Sequence, residues 1–390
     1  MNVTQQGIVI LLKSAVTGEK LKLPEGFSLE NACRIMYKQS ALPLAYQGIL
    51  NCGISKNEPL MQKLLMLYYQ HILRSERQMM AAERVFRAFE ENGIDYMPLK
   101  GCNMKRLYPK PEMRVMGDAD ILIRMEQFEN LPPIMESLGF TLKSETDHTA
   151  NWVSDDLYVE LHKSVVPPED EDYYAYYGTG WRIAVKGEGH RYDPTPEDTF
   201  IFLFTHFARH YRISGIGCRH VMDLYVYRRA YPELDEEYIR AELKKLRLLE
   251  FYENVLWLLA VWFGGAEADA ITELMTAFIF SGGSWGTTAA GLFSQEVRNA
   301  RKRGQVRHAS FHSAIRAVFP PLNTIKNRYM ILRKVPWLLP VMWVVRWFDV
   351  LLFSPKKFVR KVKILKSVND EKILSHQQAL NAVGLDYDFE

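Results

Sequence analysis

The sequence predicts an α/β protein in which a small strand-bearing core is set between helical regions. Three observations predict it. From about Leu60 to Asn92 apolar residues recur at spacings of three and four, the signature of an amphipathic helix. Between 94 and 162, short apolar runs bounded by glycine or polar turns carry the two-residue period of strands. At Thr195-Pro196-Glu197-Asp198 a helix start returns, with Thr195 as N-cap, proline in the first turn and acids toward the positive helix end. The segments that follow are 1–92, helical; 93–193, the strand-bearing core; 194–295, helical and packed on that core; and 296–390, a basic region containing an apolar helix.

Length and composition agree with this division. A chain of 390 residues, 48% of them hydrophobic, can bury a sizeable core and form two or three structural units. The four cysteines, Cys33, Cys52, Cys102 and Cys218, show no Cys-x-x-Cys spacing, which argues against a zinc ribbon or a dense disulfide framework and fits a reducing cytosol. The apolar run Ile8–Leu12 is too short for a secretory leader and has no basic residues before it, so a cytoplasmic start is expected.

Within the core, Gly93 ends the long helix and Ile94–Leu99 reads as a strand running into Lys100-Gly101. A glycine at a strand-to-helix junction lets backbone N–H groups approach a phosphate, and Lys100 either adds a point charge or is simply exposed. Asp118-Ala119-Asp120 precedes the apolar Ile121-Leu122-Ile123, so strand alternation puts both carboxylates on one face, with Ala119 and Ile121 pointing inward. Like charges this close repel unless a cation lies between them, and hard oxygen ligands suit Mg²⁺. An isolated Asp-x-Asp also occurs in solvated turns and strand edges. Phe128–Leu138 reads as a helix ended near Gly139, followed by a strand at Phe140–Leu142. Asp156–His162 alternates as a strand, with Tyr158, Glu160 and His162 on one face, so Glu160 can supply a third carboxylate. The tyrosines of 173–177 are expected in a loop between strands, either packed on the sheet or stacked on a base. After Thr195 the helix carries His206 and His210 four residues apart; no Glu follows His206 and no third ligand is evident, so a pocket wall or core role is expected rather than zinc.

Strand, Lys-Gly, helix, Arg-x-x-x-Asp-x-Asp, helix, then a strand bearing Glu-Leu-His resembles the polymerase-β-type nucleotidyltransferase superfamily. Within it, "PLKG…YPKPEMRVMGDADILI…VELH" is similar to a bacterial group of uncharacterised nucleotidyltransferases, most strongly over about 94–225, where "HFARH" at 206–210 and "GIGCRHVMD" at 215–223 also fit. The resemblance implies a polymerase-β-like core with a small mixed sheet. It implies Mg²⁺-dependent transfer of a nucleoside monophosphate from an NTP, ATP among them, to a hydroxyl-type acceptor on a small molecule, protein or RNA. Asp118 and Asp120 would be shared ligands of two Mg²⁺ ions about 3.5–4 Å apart, with Glu160 completing the acceptor-side ion and helping to deprotonate the acceptor. Lys100, Gly101, Arg114 and His162 would contact the nucleotide, with His206, His210, Arg219 and Asp223 lining the cleft. Two alternatives stay open: Arg114 in a salt bridge to Glu112 or Asp118, and Arg219 with Asp223 as a structural i,i+4 pair. One departure is Gly101-Cys102 where the superfamily often has Gly-Ser, so no serine hydroxyl is available there. A different class of reading is an inactive relative serving as an adaptor for membrane or RNA; within enzymes, a Mg²⁺ phosphohydrolase would release phosphate without labelling an acceptor.

The tail changes character. Between Arg298 and Lys366 stand 17 Lys/Arg and one acid, Asp349, a net +16 in a chain whose total is +3, which leaves −13 for the rest. Such asymmetry points to an anionic partner, a membrane surface or nucleic acid. Inside it, Val335–Phe353 nearly reaches spanning length, but Arg346 and Asp349 lie within it and each would cost about 2.5–3.5 kcal/mol at a bilayer centre. No transmembrane span is expected. The stretch is either an interfacial helix, with Trp337, Trp343 and Trp347 at headgroup level and Lys356, Lys357, Arg360, Lys361 and Lys363 following, or a buried helix on the 200–290 region. The first alternative places the protein in the cytoplasm, peripheral at the inner membrane face.

Overall fold

The computed structural model describes residues 1–54, 59–284, 291, 294, 315, 318–326, 329, 331–353 and 370–385. It divides into two units, Met1–Tyr211 with Ile216–Gly286, and Arg212–Gly215 with Thr287–Glu390.

The first unit opens with helices α1 (Val3–Thr17), α2 (Leu29–Lys38) and α3 (Leu42–Asn51). Asn2 caps α1 with a reciprocal Gln5 contact, and Ser28 caps α2. The long periodic stretch is α4 (Pro59–Glu91), whose Ala81, Ala82, Val85, Phe86 and Phe89 form a buried stripe. That stripe covers one face of a five-stranded sheet made of β1 (Tyr96–Pro98), β2 (Ala119–Ile123), β3 (Thr141–Glu145), β4 (Thr149–Val153) and β5 (Tyr158–His162), with the short helix α5 (Cys102–Lys105) between β1 and β2. The order is β1-β2-β5-β4-β3, with β2 and β5 parallel and the other neighbours antiparallel, a mixed sheet.

Alternation assigns the two faces. Ala119, Ile121, Ile123, Val159, Leu161 and Trp152 pack in the core under α4 and α6 (Leu131–Ser137). Asp120, Glu160 and His162 take the opposite face. Every residue of β2 is buried, the polar Asp120 included, so both faces of this central strand are covered. The expected strand at 140–142 extends to Glu145 and pairs with β4, whose existence was not anticipated. The tyrosine cluster is not a loop: it forms α7 (Glu171–Tyr177), with Tyr173 and Tyr177 fully buried, and Tyr177 lies 2.9 Å from the Thr205 hydroxyl and edge-on to Phe202 rather than being held by the sheet.

On the sheet's second face lie α8 (Pro196–Ile213) and α9 (Cys218–Ala230), followed by α10 (Glu236–Lys245), α11 (Leu249–Leu259) and α12 (Ala270–Ser281). Thr195 caps α8 as expected, its hydroxyl accepting the Asp198 N–H at 3.1 Å. Gln39, fully buried, fixes the start of α9: its amide donates to the Ile279 and Gly282 carbonyls at 2.9 and 2.7 Å, and its oxygen accepts the Cys218 N–H at 2.6 Å. A buried amide satisfied on both ends specifies one arrangement of the elements it joins.

In the second unit the described residues include helices Ile331–Lys334, Leu339–Phe353 and Asp370–Ala382. Among the described residues no helix is long and apolar enough to cross a membrane. The basic runs expected at 298–307 and at Lys356, Lys357, Arg360, Lys361, Lys363 and Lys366 lie outside the described residues.

Candidate active site

Parallel pairing of β2 with β5 sets Asp120 opposite Glu160 and Leu122 opposite His162. His162 Nε2 lies 3.0 Å from Asp120 Oδ1 and 3.6 Å from Glu160 Oε2, while Lys100 Nζ lies 3.2 Å from Asp120 Oδ1. Asp120, Glu160 and His162 each present a ligand atom within 4.8 Å of the others. Asp118 precedes the first paired residue of β2, is half-buried, and borders the same cavities as Asp120. The structure therefore joins two of the three expected carboxylates to a histidine and leaves Asp118 alongside.

The charges are unbalanced. Burial would raise the Asp120 carboxyl, but Lys100 and His162 outweigh it and hold Asp120 well below the ordinary carboxylate range. Asp118 is pushed up by burial and then by the charge of Asp120, and Glu160 by the same two causes in the same order. Carboxyls that resist ionisation only because they are buried beside another anion are relieved by a hard cation, so this oxygen-rich set fits a divalent ion.

Gly101 earns its place sterically. Its φ is +53°, and a Cβ there would stand 3.0 Å from the Asp118 carbonyl oxygen and 3.2 Å from Met116 Sδ. Only glycine lets the turn after β1 press against the backbone that carries the aspartates. From the other side Gln78 of α4 donates to the Met116 carbonyl at 3.0 Å.

Arg114 is engaged away from either alternative acid. Its Nε and Nη2 donate to the two oxygens of Asp223 at 2.7 and 3.0 Å, and Tyr108 donates to the same carboxylate at 2.8 Å. Glu112, one proposed partner, instead accepts the Tyr68 hydroxyl at 2.8 Å. The buried pair that forms is thus Arg114–Asp223, spanning the loop before β2 and α9. Arg219 donates to the Val115 carbonyl at 3.2 Å and lies 3.3 Å from His220 Nε2.

His206 of α8 reaches the aspartates through Lys100, 3.5 Å from its Nε2. His210 packs edge-on one turn on, ring centres 4.3 Å apart, and His220 of α9 stands 6.5 and 6.2 Å from the two. Burial first, then neighbouring cations, lowers all three, His210 to about 3, so each is a neutral hydrogen-bonding group at pH 7. His220 carried no periodic signal in the sequence. His148, missed with β4, is likewise lowered to about 3 by burial and then His162; its ring centre is 5.3 Å from that of His162.

Cavities flank the aspartates. One of about 100 Å³ is lined by Ser40, Gly101, Arg114, Arg219 and His220. Another of about 330 Å³ is lined by His148, Glu160, His162, Thr205, Arg209 and His210. Lys100, Asp118, Asp120 and His206 form the wall common to both. Ser40 and Val115 also border a space of about 630 Å³ lined by Tyr37, Leu64, Tyr68, Gln70, His71 and Arg74.

No curated protein and no solved structure matches the chain. A family model described as uncharacterised nucleotidyltransferase matches residues 26–264, taking in α2 through α11, the whole sheet and every site residue named above. With more than half of its length matched, the chain belongs to the uncharacterised nucleotidyltransferase family.

Proposed function

We propose that this nucleotidyltransferase moves a nucleoside monophosphate from an NTP to a hydroxyl-type acceptor, with Mg²⁺ held by Asp118, Asp120 and Glu160. The observation that carries the reading is the wall of Lys100, Asp118, Asp120 and His206 standing between two cavities. In-line displacement at phosphorus needs the entering and leaving oxygens on opposite sides of the reacting atom, and a carboxylate wall with space on each side suits that requirement. Bound there, Mg²⁺ supplies charge neutralisation at both oxygens.

The chain's own residues divide the remaining work. Lys100 offers a point charge to a phosphate oxygen once a cation takes its place beside Asp120. Glu160 faces the 330 Å³ cavity and, beside the proposed ion, helps to deprotonate the acceptor. Neutral His206 and His210 hydrogen-bond without adding charge. The 100 Å³ cavity is too small for a whole nucleotide, so the triphosphate lies beside Gly101 and Arg219 while the base extends past Ser40 into the larger space with Tyr37, Tyr68 and Arg74. Incubating the protein with each α-labelled NTP, Mg²⁺ and a cell extract tests the reading. Label appearing on an acceptor fraction supports it; Mg²⁺-dependent NTP binding without transfer points to the adaptor, and released phosphate without labelled acceptor to a hydrolase.

A further inference from the structure

We propose that the helix Leu339–Phe353 seats the protein on an anionic lipid surface through one exposed apolar face made of Trp337, Val341, Val344, Val345 and Phe348. The spacing of these residues, i, i+4, i+7, i+8 and i+11, gathers them along one side of the helix and the turn that leads into it. All five are exposed, Trp337 at 77% and Phe348 at 62%. Scattered apolar residues on a surface need no explanation, but five on one helical stripe do.

The other side of the same helix is already occupied. Trp343 Nε1 donates to the Pro320 carbonyl at 2.8 Å and Trp347 Nε1 to the Val318 carbonyl at 2.9 Å, and both rings pack edge-on to Phe319, centres 5.2 and 5.3 Å away. Asp349 accepts the Tyr329 hydroxyl at 2.7 Å. This corrects the expectation that Trp343 and Trp347 stand at headgroup level: their N–H groups find carbonyl partners inside the unit, and Trp337 with Phe348 are the aromatic residues turned outward.

Charge selects the occupant. The helix lies within the 298–366 segment, whose net +16 favours an anionic partner. A polyanion such as single-stranded RNA gains from aromatic platforms for its bases and nothing from three valines. A lipid surface uses both properties at once, headgroups for the basic residues and the acyl boundary for the stripe. With no helix long and apolar enough to span among the described residues, the helix lies along the interface.

Sedimentation of the full-length protein with vesicles tests this. Phosphatidylcholine vesicles are compared with phosphatidylcholine mixed with phosphatidylglycerol, at low and high salt, using wild type and the surface variant Trp337→Ser/Phe348→Ser; a thermal melt verifies that the variant folds. The wild type pellets with the anionic vesicles only, and added salt weakens binding as the screening length shrinks from about 10 Å. The variant binds anionic vesicles about tenfold more weakly or worse, because two large apolar side chains no longer leave water. Failure of the wild type to pellet with anionic vesicles overturns the proposal, as does a folded variant that binds as tightly as wild type. Binding to a single-stranded RNA oligonucleotide with no vesicle binding also overturns it, in favour of nucleic acid.

Discussion

Replacing Asp223 by asparagine leaves the Arg114 guanidinium buried against a neutral amide. Arg114 and Asp223 are 5% and 7% exposed, joined by bonds of 2.7 and 3.0 Å, with Tyr108 donating a third at 2.8 Å. Breaking a buried pair by removing one partner costs about 3–5 kcal/mol; asparagine keeps one acceptor, so the Asp223→Asn loss is expected near 3 and the Asp223→Ala loss near 5 on that scale. Urea unfolding at pH 7 measures it as a lowered midpoint at constant slope. Replacing both partners together, Arg114→Met with Asp223→Leu, should recover much of the loss, since no charge is left buried alone. The pH dependence has a fixed sign. Burial would raise the Asp223 carboxyl, but Arg114 outweighs it and holds it below the ordinary 3.8. The pair's contribution is therefore complete above about pH 4 and is lost as pH falls through the depressed native value, so wild type and Asp223→Asn should converge in acid. A loss at pH 7 below about 1 kcal/mol, the scale of a solvated pair, or a difference that persists unchanged in acid, would refute the assignment. A large rise in KM for NTP without loss of stability would return both residues to the nucleotide.

Asp120→Asn should lower nucleotidyl transfer about a thousandfold or more while circular dichroism shows the fold retained, because the site loses the carboxylate common to Lys100, His162 and the proposed metal. Lys100→Met should raise the KM for NTP and, with Asp120 stripped of its cation, make thermal stability depend more steeply on added Mg²⁺ than in wild type; an unchanged Mg²⁺ response in a calorimetric scan would tell against a cation at Asp120. Gly101→Ala should destabilise by about 1–3 kcal/mol, since both its positive φ and the 3.0 Å approach to the Asp118 carbonyl oppose a methyl group, and chemical denaturation would register it.

What could be read along the chain was local. The periodicity of 60–92 located α4 to within a residue or so at each end, and alternation at Asp118–Ile123 and Asp156–His162 assigned Asp120 and Glu160 each to the polar face of its own strand, while the register that sets them opposite one another appears only in the sheet. Strand β4 is illegible in the sequence because Thr149-Ala150-Asn151-Trp152-Val153 has its only large apolar side chains adjacent, at Trp152 and Val153, and so shows no two-residue apolar period. The Arg114–Asp223 pair joins residues 109 apart, a separation at which no spacing rule operates. His220 and His148 give no spacing signal for the same reason: His220 joins the site only when α9 packs over the sheet, and His148 only when the strand after it pairs with β5. In the tail, periodicity reveals that the helix Leu339–Phe353 has stripes, but which stripe is covered depends on where Pro320 and Val318 offer their carbonyls.

The parallel register of β2 and β5 makes the aliphatic face of the sheet a ruler for the polar one. A slip by one residue would bring Val159 or Leu161 opposite Asp120 and turn Glu160 and His162 toward Phe86 and Ile134. The side chains that forbid the slip, Ile121, Val159 and Leu161, never meet a substrate. Wear in that ruler, a methyl group trimmed beneath α4, would be felt as a misplaced carboxylate on the opposite face, so substitutions chosen for the core also move Asp120 and Glu160 relative to one another.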